Sequence, residues 1–242
     1  MVGIVAAILL VGMFAFYSFE QFLIRDARFT LAETDASENP SIHLQGVTFA
    51  SARAVESVFS EDTGRSVYLL PLQSRRDTLR SIDWVKDATV ARVWPNQVYV
   101  HVNERRPVAF VGPPFSRSGL IDDDGVILHP VTARFHLPVL KGLKSADSIP
   151  ARREKVRRMV YLLGQLGGSS ENISEVDTSD RDNLKVTQPW DGRMMMLLLG
   201  DRNFNVRYQT FVRHFKEIKE KSPHGSLVDL RIDGKITVID QY

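Results

Sequence analysis

The sequence predicts an α+β fold behind a transmembrane helix: an N-terminal span, a small β-α-α-β-β domain, then a mixed β domain with two packed helices. Three observations predict it. The run from Val2 to Phe19 carries no charge. Val98, Val100 and Val102 alternate with Gln97, Tyr99, His101 and Asn103, the period-two pattern of a half-buried strand. Tyr208, Phe211, Val212, Phe215 and Ile218 share one helical face, and a second hairpin pattern follows that helix.

The 242 residues allow two modest domains, and 43% apolar with 25% charged residues is the balance of a folded protein. A net charge of +2 is too small to argue for nucleic acid. With no cysteine, disulfides, thiol catalysis and cysteine-ligated metals are excluded.

The opening run is long enough to cross a bilayer, since about 20 helical residues span the ~30 Å hydrocarbon layer. Val2, Ile4, Leu9, Phe14 and Phe19 are its membrane-facing candidates. A cleaved signal peptide wants a basic start and an A-x-A site, and neither is present. Residues 1–25 are therefore read as an anchor and residues 26–41, rich in Ser, Thr and Asn, as a linker. Arg25 and Arg28 follow the span and nothing basic precedes it. Taken literally, the positive-inside rule puts the bulk of the chain in the cytoplasm. The reading adopted is that a basic cytoplasmic tail lies ahead of Met1 and the bulk is extracytoplasmic, on an inner membrane.

Residues 42–107 form the first domain. Ile42–Val47 reads as a strand. Ser51 caps a helix with Val55, Val58 and Phe59, and Ser74 caps another with Leu79 and Ile82. The hairpin Ser81–Phe110 turns at Pro95-Asn96. Residues 108–242 form the second domain. Leu120–Leu128 reads strand, turn, strand. Asp122, Asp123 and Asp124 invite a calcium hypothesis, but Asp-Gly is the commoner mark of a tight hairpin. His129 and His136 lack zinc-ligand spacing. Leu137–Leu140 is a strand. Ser148 caps a helix ending at Gly167-Gly168, with Val156, Met159, Val160, Leu163 and Leu166 inward. Ile173–Thr178, Asn183–Val186 and Arg193–Leu199 are strands, and Asn205 caps the last helix. Leu227–Ile232, the turn Asp233-Gly234 and Lys235–Ile239 make the closing hairpin, with Val228, Leu230 and Ile232 on the core face.

Trp84-Val85, Arg92-x-Trp94-Pro95, and the alternating strand running into Glu104-Arg105-Arg106-Pro107-Val108-Ala109 resemble the POTRA domain of the FtsQ/DivIB cell-division family. The Val228–Lys235 segment resembles the end of that family's β domain. The resemblance implies a membrane scaffold of the bacterial divisome at the septum, without catalysis or cofactor. It implies that the terminal strand pairs with FtsB, itself in a coiled coil with FtsL, and so controls septal cell-wall synthesis. The partner-binding residues it implies are Arg231, Ile232, Asp233, Gly234, Lys235, Ile236, Thr237, Val238 and Ile239, with Arg181 on an earlier strand as a second basic contact. The POTRA domain is expected to contact other membrane division proteins.

The bare sequence supports this mode. Lys235–Ile239 holds one charge and no proline, so at a sheet edge its main chain is a template for another strand. No nucleophile elbow, phosphate-cradling loop or metal-binding His pair is present. The alternatives are a POTRA-bearing outer-membrane assembly or secretion factor, for which the barrel strands are missing, and a cell-wall enzyme.

Overall fold

A computed structural model describes residues 2–32, 41–115 and 119–239. It divides into two compact units, Met1–Arg105 and Arg106–Tyr242.

The first unit opens with helix α1, Val2–Arg25, and its stretch Gly3–Arg25 is the one helix among the described residues long and apolar enough to cross a membrane. Ile4, Leu9, Phe14 and Phe19 all project outward from it. The expected linker is partly built into the fold. Asp26 caps a 3₁₀ turn, Ala27–Phe29, and Leu31 is buried. The Leu31 N–H donates to the Arg65 carbonyl and its own carbonyl accepts from Gly64, both at 2.9 Å. A polar composition reads as a spacer, yet one leucine with a strand-like pairing partner is enough to tie it down. Residues 33–40 of that expectation lie outside the described residues.

Strand β1 (Ile42–Gln45), helices α2 (Ala52–Ser57) and α3 (Leu72–Leu79), and strands β2 (Val85–Val93) and β3 (Gln97–Glu104) follow. The sheet order is β1-β3-β2, with β1 parallel and β2 antiparallel to β3. Val98, Val100 and Val102 are buried, as the alternation requires, and so are Val55, Phe59 and Leu79. Ser51 caps α2 by accepting the Ala54 N–H. Ser74 does not cap α3; the helix begins at Leu72, directly after Pro71, which cannot continue a helix from the preceding turn. Ile82 falls beyond its end. Trp84 is core, whereas Trp94 is half exposed. Glu104 is structural: its carboxylate accepts the backbone N–H groups of Thr48, Phe49 and Ala50 at 2.7–2.8 Å, closing the turn after β1.

The second unit is a nine-stranded mixed sheet covered by two helices. Its strands are β4 (Pro107–Val111), β5 (Leu120–Asp122), β6 (Ile127–Leu128), β7 (Val139–Lys141), β8 (Glu175–Asp177), β9 (Leu184–Trp190), β10 (Arg193–Gly200), β11 (Leu227–Asp229) and β12 (Thr237–Ile239). The order is β12-β11-β10-β9-β8-β7-β4-β5-β6. Helices α4 (Ile149–Leu166) and α5 (Phe204–Lys221) pack into one core with Leu140, Val176, Val186 and Leu197.

Ser148 caps α4 through the Ala151 N–H, and Gly167 ends it at φ +56°, a conformation that favours glycine. Ser148→Ala is expected to cost about 1 kcal/mol, a drop of roughly 2–4 °C in the melting temperature of the chain. The inner stripe is Val156, Met159, Leu162 and Leu166, while Val160 is 45% exposed. At 100° per residue Val160 lies about 100° round from the centre of the buried arc, beyond its shoulder. Asn205 does not cap α5; Asn203 precedes it in a left-handed conformation. Val212 lies at the margin of the apolar face, and Tyr208, Phe211 and Ile218 are buried. In the β5–β6 hairpin, the buried Asp122 carboxylate accepts the N–H groups of Asp124 (3.0 Å) and Val126 (2.8 Å), so it builds the turn.

Candidate partner-binding edge

β12 is an outer strand of the nine-stranded sheet, paired on one side with β11. The hydrogen-bond directions along β11 fix what β12 offers on its other side. The Ser226 carbonyl accepts from Met196 and the Leu230 N–H donates to Leu198, so residues 226, 228 and 230 point their main chain at β10. Leu227 and Asp229 therefore point theirs at β12, and their register partners are Ile239 and Thr237. Val238, opposite Val228, directs its N–H and C=O away from the sheet. Its side chain packs partly against the core, and those of Thr237 and Ile239 are exposed.

The strand is shorter than the sequence pattern predicts, three residues in place of five. Lys235 and Ile236 belong to the connection, where the Lys235 N–H donates to the Ile232 carbonyl at 3.1 Å. Ile232 is not on the core face but 64% exposed, because β11 ends at Asp229 and the chain turns outward after Leu230. It lines a small cleft with Val206 and Thr210 of α5.

Two arginines set the electrostatics. Arg231 grips Asp229 with both ends of its guanidinium, at 2.7–3.1 Å, and remains half exposed. Arg207 is buried. Its Nε donates to Asp233 at 2.9 Å and Nη1 to the Leu199 carbonyl at 2.6 Å. Asn203 donates to the other Asp233 oxygen at 3.1 Å. Asp233, in the turn before β12, is thus tied to the start of α5. Arg181 sits on the exposed β8–β9 connection, its carbonyl accepting from Arg158. The hydrogen bond to Asp229 raises the Arg231 pKa, and the charge of Asp180, next to Arg181, adds to it.

The Arg231 hydrogen bonds hold the Asp229 carboxyl below its ordinary pKa, and those of Arg207 do the same for Asp233. A depressed folded pKa contributes stability above the unfolded value and loses it as pH falls through the folded one. The β11–β12 hairpin is therefore expected to keep constant amide protection from neutrality to about pH 5 and to loosen only below about pH 4. Hydrogen exchange at Leu227, Asp229, Thr237 and Ile239 reads this. Protection that fades already near pH 6 would mean that a histidine, not these aspartates, governs the edge.

Sequence reasoning missed Arg207 and Asn203. The signal was present for Arg207, which lies three residues after Phe204 and four before Phe211, on the inner arc of α5.

Residues 40–105 match the family described as POTRA domain, FtsQ-type, and residues 109–231 match Cell division protein FtsQ/DivIB, C-terminal. The chain belongs to the FtsQ/DivIB family of cell-division proteins. Its relatives include Cell division protein FtsQ of Koribacter versatilis, 33% identical over 218 residues, covering 86% of this chain and 60% of the relative. The FtsQ of Nitrosospira multiformis is 27% identical over 228 residues, covering 92% of this chain and 88% of the relative. The family match stops at Arg231, so β12 is placed at the edge by the structure rather than by the comparison.

Proposed function

We propose that this FtsQ-family chain is a single-pass scaffold of the divisome, its two folded units outside an inner membrane at the septum. It recruits FtsB, together with FtsL, by adding a partner strand alongside β12, and so controls septal cell-wall synthesis through assembly, with no chemistry of its own. The observation that carries this reading is the outward main chain of Val238 on a strand without a second neighbour among the described residues. Arg231 and Ile232 flank the edge as a half-exposed cation and an exposed apolar group, suited to a strand with an acidic residue beside it. Arg181, on the exposed β8–β9 connection, serves as an outer basic contact. The test is co-purification of the full chain from membranes of dividing cells. Recovery of FtsB and FtsL with the chain supports the reading; a chain recovered intact with other division proteins but without these two sinks it.

A further inference from the structure

The first unit carries an apolar surface that the strand-addition role does not use. Phe22, on the last turn of α1, meets Phe29 edge-on with ring centroids 5.6 Å apart, and Phe29 meets Trp94 in the same way at 5.5 Å. Trp94 sits at the tip of the β2–β3 hairpin, so the tip lies within two ring contacts of the membrane span. The Ser66 hydroxyl donates to the Leu23 carbonyl at 2.7 Å, which places the 3₁₀ turn Val67–Leu69 against the same end of the helix. Around this junction Phe22 (43%), Leu69 (43%), Val93 (40%) and Trp94 (50%) are exposed.

The position of this collar relative to a bilayer follows from α1. Glu20 is the first charge after the apolar run and Arg25 the second. A carboxylate is excluded from the hydrocarbon centre, so the helix leaves the apolar layer near Glu20. Phe22 and the groups stacked on it then fall at headgroup depth, where tryptophan is favoured because its ring is apolar and its N–H polar. Arg25 and Arg65 are exposed at the same end and have no carboxylate partner among the described residues. Such cations suit anionic headgroups.

We propose that the hairpin tip of the POTRA domain is seated in the headgroup layer, with Trp94 and Leu69 as its apolar contacts and Arg25 and Arg65 facing anionic lipid. Lipid is the occupant because the surface is continuous with the span itself. The domain is then held on the membrane along one side, with the helix as a second point of attachment.

The proposal rests on α1 lying in a membrane, and the test separates the two. The full chain is reconstituted into vesicles of phosphatidylcholine and phosphatidylglycerol, with acyl chains brominated near the headgroup. Tryptophan quenching is then compared between wild type and Trp94→Phe. Trp84 is core and Trp190 packs on Phe211 in the second unit, so the quenchable emission is expected to come from Trp94 and to be largely lost in the variant. Because the chain has no cysteine, Leu69→Cys gives a second, unique site for an environment-sensitive dye. Its emission is expected to shift to the blue in vesicles, while the same dye on Gln45→Cys, at the far end of β1, does not shift. A chain that floats with the vesicles but shows equal quenching in both proteins and a water-like dye at position 69 overturns the proposal alone. A chain that does not float with the vesicles overturns the anchor as well.

Discussion

Val238→Pro is expected to weaken capture of an FtsB–FtsL pair about 10- to 100-fold while leaving the fold of the chain unchanged. The asymmetry follows from hydrogen-bond direction. The β11–β12 ladder uses the main chain of Thr237 and Ile239, which face Asp229 and Leu227. Val238 faces outward, so a proline there removes an N–H that no other described residue uses. Proline is tolerated on edge strands for that reason, and the extended conformation it imposes on Thr237 is the one already present. A docked partner strand, by contrast, loses a donor and is left with an unsatisfied carbonyl, at about 1–3 kcal/mol, and each 1.4 kcal/mol is roughly tenfold in affinity. Thr237→Pro is the contrasting variant. It removes an N–H that points at Asp229, so it loosens β12 from β11 and lowers hairpin protection as well as binding. Titration of both variants against the purified pair, with amide exchange on each, separates the cases. Wild-type affinity in a folded Val238→Pro chain rules out pairing at this edge.

The largest stability effect outside the apolar core is expected at Arg207. Between β9 and β10 the register slips at Leu199: Leu198 pairs with Lys185 and Gly200 with Leu184. The bulge leaves the fully buried Leu199 without a ladder partner, and Gly200 takes a φ of +74° to make the step. Arg207 donates to the Leu199 carbonyl. Arg207→Leu fits the apolar surroundings but strands that carbonyl and frees Asp233, at about 2–3 kcal/mol, roughly 5–10 °C in melting temperature. Asp233→Asn keeps an acceptor for Arg207 and leaves the carbonyl satisfied, so its effect is expected to be smaller. If the two variants melt alike, Arg207 is holding the turn and not the bulge. Partner binding is expected to fall in both, because Asp233 anchors the connection that leads into β12.

The contrast between these two sites shows which parts of the chain are legible without a structure. The β3 alternation of Val98, Val100 and Val102 and the Ser148-to-Gly167 helix rest on interactions within a few residues, and sequence spacing records those directly. Ser74 and Asn205 failed as caps because a capping residue type is common and its use depends on where the preceding chain turns. Leu31 and Arg207 act through partners 33 and 8 residues away, Gly64 and Leu199, and no local period reports that. The composition of residues 26–41 suggested a spacer for the same reason. For the partner edge, the pattern found the segment but not its limits. Ile232 leaves the strand because β11 stops at Asp229, opposite Leu198, where the bulge at Leu199 interrupts β10. Whether β12 is outermost is a matter of strand order, which hydropathy along one segment cannot encode.

The ties at the base of the first unit also fix an angle. Ser66 on the Leu23 carbonyl, and Phe29 between Phe22 and Trp94, lock the azimuth of the domain about the axis of α1. Whichever helical stripe faces a neighbouring span in the bilayer, one flank of the domain faces the same way outside it. Inserting a single alanine between Glu20 and Phe22 would swing that bearing by about 100° without altering the length of the span by more than about 1.5 Å. In an assembly of several spans the helix then acts as a compass needle as well as a tether.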